Sequence, residues 1–207
     1  MKKMKENTNS KAIKTFCIGA LLCAFVYGLA LPFFWGNNPA SELGTLSLLC
    51  ETAERKPFFW LWGILTSGSI LLNTGYMYNK FGIRSKFLNI LGVLGFVCMA
   101  LVALTLGHSI EDWNPKRIAH WVATGAFIVF TIASVALFFI INRKKHPKFN
   151  MLTACTFLIL GTFVVIFAVV GKSALMEMIP LALIEIFLFA VNFTPWVKAQ
   201  KEEAVAK

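Results

Sequence analysis

Six long apolar runs constrain this chain more than any other feature of its sequence. Each is close to the roughly 20 residues that a helix needs to cross about 30 Å of hydrocarbon. Helices are the expected spanning form, because backbone groups in lipid must be satisfied internally and no ten-residue alternating segments are present. The runs occupy residues 13–34, 58–78, 87–106, 118–141, 151–170 and 175–196. We therefore predict an all-α membrane protein, a bundle of six transmembrane helices.

The composition excludes an ordinary soluble domain. Hydrophobic residues make up 57% of the chain and charged residues only 14%, whereas about 25% charged residues is typical of soluble domains. The net charge of +10 does not indicate nucleic acid, because the basic residues lie in short blocks between apolar runs rather than among aromatic stacking residues. We expect membrane lipids as partners and no nucleic acid. Membrane-protein partners and homo-oligomers both remain open.

The basic residues predict the orientation of the helices. Of the 20 Lys and Arg residues, 15 lie in the first 14 residues, in 79–86, in 142–150 and after 196. Because Lys and Arg accumulate in cytoplasmic segments, both termini are expected in the cytoplasm. We assign residues 1–14 to a basic cytoplasmic N-terminus, 15–197 to the transmembrane domain and 198–207 to a cytoplasmic tail. The first apolar run is longer than a signal-peptide core, so we take it as a spanning helix.

Cysteine and histidine spacing argues against metal and cofactor sites. The five cysteines form no CxxC pair, so neither a disulfide framework nor a zinc site is expected. A membrane haem needs paired histidines, and His120 alone lies in a predicted helix. We therefore expect no metal and no cofactor. Cys50 is the one cysteine in a predicted exposed loop, where we expect a short helix lying on the bilayer, and it is a candidate reactive thiol.

Ionisable residues gather at the predicted outer surface. The candidate cluster consists of Glu42, His108, Asp112, His120 and Glu177, with Lys116 and Arg117 beside them. With His120 as base and Glu42 or Asp112 orienting it, these groups can form a general acid–base pair. Together with the two basic residues they can instead bind the phosphate of a lipid headgroup. The third interpretation is that the histidines only contact water and headgroups.

Among the polar residues inside the predicted spans, Asn73, Glu185 and Asn192 form a second candidate set. An acid at a helix centre costs roughly 3 kcal/mol in lipid, so Glu185 should face the bundle. Asn192 is seven residues further on and lies on nearly the same helix face. The set is either a proton, cation or headgroup site or a structural hydrogen bond between helices.

Several short motifs resemble one family of membrane proteins. The first outer loop reads ASELGT at residues 40–45, and the third run carries Asn89, Gly92 and Gly95. His120 is followed by small residues at 124–126, and the last run contains Glu177 and Glu185. This pattern is similar to the DRAM-type autophagy modulators, the FRAG-type proteins, the GPI-lipid remodelling factors and related prokaryotic six-helix proteins. Glu42 stands where that family usually has Asp. The resemblance implies lipid remodelling, lipid distribution between leaflets or regulation of membrane traffic.

Three functions remain open at this point. The favoured one is recognition or handling of a lipid headgroup at the outer membrane surface, without covalent catalysis. A lipid-modifying enzyme using His120 with Glu42 or Asp112 is the second, but no Walker, HExxH or GxSxG signature supports an enzyme. A small transporter or channel subunit using Glu185 is the third. No eukaryotic targeting signal or outer-loop sequon is visible, which favours a bacterial plasma membrane.

Overall fold

Every element in the described part of the chain is helical, as the sequence predicts. The computed structural model describes residues 2–35, 45–83, 85–106, 114–171 and 173–197. The α-helices are α1 (Lys2–Ala30), α2 (Leu46–Leu49), α3 (Lys56–Lys80), α4 (Lys86–Leu104), α5 (Pro115–Ile141), α6 (Phe149–Val170) and α7 (Ala174–Phe193). Short 3₁₀ segments occupy Leu31–Trp35 and Arg143–Lys145. Each predicted apolar run therefore falls on one of the six long helices.

Five of these helices are long and apolar enough to cross a membrane: α1, α4, α5, α6 and α7. The chain is therefore a multi-span membrane protein. The sixth long helix, α3, has 25 residues but is less apolar along its length. Its middle turns carry the buried polar residues Thr66, Ser67, Ser69, Asn73 and Thr74. These side chains lower the hydropathy of α3 and face its helical neighbours.

The long helices form a closed bundle in which α3 and α7 are the central pair. Neighbours in the chain pack against each other, α7 returns to contact α1, and α3 packs against α1, α4 and α7. The α4–α5 pair is the most extensive contact. A Cβ atom built on Gly95 of α4 comes within 3.0 Å of the Thr131 hydroxyl on α5. The absence of a side chain at Gly95 therefore permits the close approach of these helices.

Aromatic packing and two lysines close one end of the bundle. The Phe138, Phe139 and Phe149 rings contact one another with centroids 5.2 to 5.8 Å apart. The Lys80 ammonium donates to the carbonyls of Val191 at 2.7 Å and Asn192 at 3.1 Å in the last turn of α7, and to that of Val197 beyond it. Lys148 donates to another carbonyl, that of Trp196, at the same end. Cations stabilise a helix C-terminus because its last carbonyls lack partners within the helix.

The opposite end of the bundle includes the short helix α2, and here the structure corrects the expectation for Cys50. The expected short helix forms, but it is packed into the bundle, with Leu46 and Cys50 both 0% exposed. Leu46, Leu49 and Cys50 lie on one helical face, which explains why that face is buried. Burial, together with the nearby Glu177 carboxylate, raises the pKa of the Cys50 thiol to about 12. Cys50 is therefore a core thiol, and the prediction of an exposed, reactive one is wrong.

Candidate functional site

An apolar cavity of about 70 Å³ lies inside the bundle beside α2. Its walls come from α3, α4, α5, α6 and α7, so five of the long helices enclose it. Nearly all of the lining is hydrocarbon. The exceptions are two ionisable side chains, His120 and Glu177, and two hydroxyls, Thr124 and Thr131. The polar groups therefore come from α5 and α7 alone.

The second half of α6 explains why the cavity is open on one side. In its first half α6 buries Phe149, Leu152, Thr156 and Ile159 at regular helical spacing. From Leu160 onward no described side chain of α6 is buried. Leu160 and Phe163 line the cavity and are partly exposed, as are Ile128 and Ile132 across from them on α5. The cavity is thus bordered by the lipid-facing surface between α5 and α6.

His120 is held in place by the end of α4. Its Nδ1 lies 3.2 Å from the Val102 carbonyl and 3.2 Å from the Thr105 hydroxyl oxygen. Because a carbonyl oxygen only accepts, the contact with Val102 places a hydrogen on Nδ1. Asn114 caps the start of α5, accepting from the Arg117 amide at 2.9 Å. This cap and the contact with α4 fix the imidazole at the cavity wall, with 5% of the residue exposed.

Glu177 connects α7 to the distant helix α2. Its Oε2 accepts from the Leu46 backbone amide at 2.7 Å, and the Ser47 amide also donates to the carboxylate. The residue preceding α2, Thr45, provides no side-chain cap. Arg55 Nη1 lies 3.4 Å from the Leu49 carbonyl at the other end of α2. The carboxylate that the sequence assigned to headgroup binding therefore caps a helix of the same chain while also lining the cavity.

The remaining members of the predicted outer cluster divide into two groups. Glu42, His108 and Asp112 lie outside the residues that the structure describes. Lys116 and Arg117 lie in the first turn of α5, where Lys116 is exposed and Arg117 is partly buried. Neither of these two is among the residues that line the cavity. Of the predicted cluster, the structure brings His120 and Glu177 to one cavity.

The three intramembrane polar residues form a separate set between α3 and α7. Glu185 Oε1 lies 3.4 Å from the Ser69 hydroxyl. Asn192 donates to the Asn73 carbonyl at 2.9 Å, and all three residues are buried. A pocket beside Glu185 is too small for more than about one water molecule. Trp62 and Leu181 line both this pocket and the cavity that holds His120 and Glu177, so they form the wall between them.

Sequence reasoning missed the residues that position this site. Thr105 and the Val102 carbonyl hold His120. A backbone carbonyl leaves no signal in the sequence, and nothing there distinguishes Thr105 from any other residue at the end of a helix. Trp62 divides the two cavities, although an aromatic residue in a span predicts only lipid or core packing. Within the described part of the chain, no group of three His, Cys, Asp or Glu residues is placed to hold a metal ion.

Comparison of the chain with protein-family models, curated proteins and solved structures finds no match. The cavity and the side chains that line it are therefore the guide to function. Two features define that cavity chemically. One is its almost wholly apolar wall, and the other is the pair of ionisable groups, His120 and Glu177, contributed by two different helices.

Proposed function

We propose that this protein crosses the membrane six times with both termini in the cytoplasm. The position of α3 supports the sixth crossing, because α3 packs against α1, α4 and α7 and turns its polar residues toward them. A helix that turns its polar residues toward its neighbours can cross lipid with a lower overall hydropathy. The bias of Lys and Arg supports the orientation, which places α2 and the neighbouring cavity at the outer surface. The membrane proposed is a bacterial plasma membrane.

We further propose that the cavity binds part of a membrane lipid and that the protein recognises or handles the lipid headgroup without covalent catalysis. The observation that carries this proposal is the presence of His120 and Glu177 on the wall of one apolar cavity. An amphiphile matches such a lining, because its hydrocarbon fills the apolar part and its polar group meets the ionisable residues. The resemblance to lipid-remodelling proteins, itself a proposal, agrees with this chemistry.

The size and position of the cavity fit part of a lipid rather than a whole one. A volume of about 70 Å³ holds several water-sized groups, since one water needs roughly 10–15 Å³ on the same scale. The polar end or the first part of an acyl chain would fit. The rest of the lipid would remain in the bilayer, reached through the gap between α5 and the second half of α6.

A lipid-modifying enzyme is the alternative function. In it His120 would act as base through Nε2, oriented by Glu42 or Asp112. The groups of α4 that hold Nδ1 are a carbonyl and a hydroxyl, which can fix the tautomer without a carboxylate on that nitrogen. Turnover of a lipid acyl or headgroup bond by the purified protein would establish this alternative. A bound but unchanged lipid supports recognition instead.

Filling the cavity should remove the bound lipid. Leu160→Trp places a large ring at the cavity wall, and we expect roughly a tenfold loss of co-purified lipid per protein. Leu158→Trp is the matched control, because Leu158 is 70% exposed on the same helix and does not line the cavity. The measurement is mass spectrometry of lipids after mild purification. Equal lipid in native protein and both variants would contradict the proposal.

A further inference from the structure

We propose that Glu185 is an intramembrane proton-binding site, and that it exchanges its proton with the Lys80 end of the bundle along a chain of polar groups between α3 and α7. Under the proposed topology, that end faces the cytoplasm. The inference concerns residues apart from the lipid cavity and does not depend on what the cavity binds.

The hydrogen bonds around Glu185 favour a carboxyl that carries a proton. Glu185 is 3% exposed. The Ser69 hydroxyl lies 2.9 Å from the Thr66 carbonyl and 3.4 Å from Glu185 Oε1. Ser69 has one hydroxyl hydrogen, and the Thr66 carbonyl can only accept, so the shorter contact uses that hydrogen. Ser69 therefore has no second hydrogen for Glu185 Oε1 at 3.4 Å, so the carboxyl receives at most a weak, shared hydrogen bond from it.

The alternative, an ionised Glu185, would be a buried charge with at most one donor. Charges in a membrane interior are usually paired or heavily hydrogen-bonded, because desolvation of an unpaired charge is costly. The side chains that line the small pocket beside Glu185 on α1 and α3 are uncharged. On α1, the Cys17 carbonyl accepts a hydrogen bond from Asn73. On α3, the Lys80 ammonium donates to the Asn192 carbonyl. On α7, the other acid is Glu177. None of these interactions places a cation on Glu185.

Polar residues of α3 and α7 follow one another from Glu185 toward Lys80, each linked to the next through a backbone carbonyl. Asn73 Nδ2 donates to the Ser69 carbonyl at 2.9 Å, which connects it to the residue that contacts Glu185. Asn192 Nδ2 donates to the Asn73 carbonyl at 2.9 Å, and Lys80 Nζ donates to the Asn192 carbonyl at 3.1 Å. Each step joins α3 to α7 or lies within α3. The series therefore spans about half of each helix.

Two buried amide oxygens along this series point to a ligand that donates hydrogen bonds. Asn73 Oδ1 and Asn192 Oδ1 have no hydrogen-bond partner in the described part of the chain. Buried polar atoms normally have a partner, and ordered water is a common one. Oxygen atoms at these two positions can accept from a water that carries a proton between Glu185 and the end of the bundle.

On the side of Glu185 away from Lys80, the small pocket is lined mostly by apolar side chains, which offer no groups to pass a proton. Trp62 and Leu181 also separate that pocket from the cavity that holds His120 and Glu177. The polar groups that follow Glu185 all lie on the Lys80 side. Exchange through the lipid cavity would require these two side chains to move apart.

Infrared spectroscopy of the full-length protein in lipid bilayers tests the proposal. A protonated carboxyl has a carbonyl band distinct from that of a carboxylate. We expect this band in native protein at neutral pH, its loss in Glu185→Gln and its retention in Glu177→Gln. In deuterated buffer the band should shift as the proton exchanges. We expect Asn192→Leu to slow that shift by roughly tenfold, while Thr194→Ala, a nearby polar control, leaves it unchanged.

Four outcomes would overturn the proposal. Absence of the band in native protein would show that Glu185 is ionised, and its persistence in Glu185→Gln would assign it to another carboxyl. Loss of the band on adding sodium at constant pH would identify a sodium site in place of a proton site, since carboxylate and amide oxygens also suit hard cations. An unchanged exchange rate in Asn192→Leu would exclude the route toward Lys80. A thermal melt of each variant confirms that the fold is retained.

Discussion

Replacing Glu177 with alanine is expected to release α2 from the bundle and expose Cys50 to water-soluble thiol reagents. The Glu177 carboxylate accepts from the Leu46 amide at 2.7 Å and also from the Ser47 amide. The Thr45 side chain does not cap α2 and so does not replace the Glu177 carboxylate. Both amides would therefore lose their hydrogen-bond partner. Hydrogen bonds to charged groups contribute about 1.5–3 kcal/mol each. Loss of one such bond corresponds to a rise on the order of 10- to 100-fold in the open population, so we expect the labelling rate of Cys50 to rise by at least that factor.

The pKa of the Cys50 thiol changes the labelling rate in the same direction. The pKa of Cys50 is raised to about 12 by burial first and by the Glu177 carboxylate second. Removing the carboxylate and exposing the thiol both lower that pKa, so a larger fraction is thiolate at neutral pH. Because the thiolate is the reactive form, this change adds to the effect of opening.

The experiment uses a variant in which Cys50 is the sole cysteine. The four others are replaced by alanine, namely Cys17, Cys23, Cys98 and Cys155. Labelling by a maleimide is followed over time in native-like bilayers. Glu177→Gln is the matched variant, since its amide oxygen still accepts but carries no charge, and an intermediate rate is expected. Equal labelling of Cys50 with glutamate and alanine at position 177 would show that the carboxylate does not hold α2.

Replacing Gly95 with leucine is expected to be strongly destabilising. The first added atom would lie 3.0 Å from the Thr131 hydroxyl, 3.6 Å from its backbone nitrogen and 3.8 Å from the Phe127 carbonyl. Two of these neighbours are backbone atoms, which cannot turn away as a flexible side chain can. The remaining leucine atoms would force α4 and α5 apart. Overpacking costs about 1–3 kcal/mol and occasionally more, which corresponds to a melting temperature lower by roughly 2–12 °C.

Gly125→Leu is the control for this substitution. Gly125 lies on α5, is exposed, and has no atom within 4 Å of a Cβ built upon it. Leucine there faces lipid and should leave the melting temperature nearly unchanged. Thermal unfolding in one detergent, followed by circular dichroism, compares the two variants. A similar melting temperature for both would mean that the α4–α5 approach does not depend on Gly95.

The sequence predicts the helices well because their signal is local. An apolar run of about 20 residues specifies a spanning helix without knowledge of its neighbours, and the six long helices each contain most of one predicted run. The burial of Glu185 follows from the cost of an acid in lipid, and the structure places it 3% exposed. Close helix contacts at glycines are harder to foresee, since Gly28, Gly92 and Gly95 have neighbours within 4 Å of an added Cβ atom whereas Gly19 has none.

The candidate site was predictable only in part, because its contacts depend on distant segments. The partner of Glu177 is a backbone amide 131 residues away, and nothing in the sequence near either residue indicates the pairing. Cys50 was placed in an exposed loop, but the face that it shares with Leu46 and Leu49 packs into the bundle. His120 was interpreted as a residue of the outer interface, whereas its burial and its contact with the Val102 carbonyl depend on how α4 ends.

Orientation in the membrane is the claim on which the outer lipid site depends, and accessibility labelling measures it directly. In a variant without native cysteines, Ala53→Cys probes the loop between α2 and α3, and Lys144→Cys probes the basic segment after α5. Both positions are exposed. We predict that an impermeant maleimide labels position 53 in intact cells, and position 144 only after the membrane is permeabilised. Labelling of both positions from the same side, or of position 144 alone in intact cells, would contradict the account.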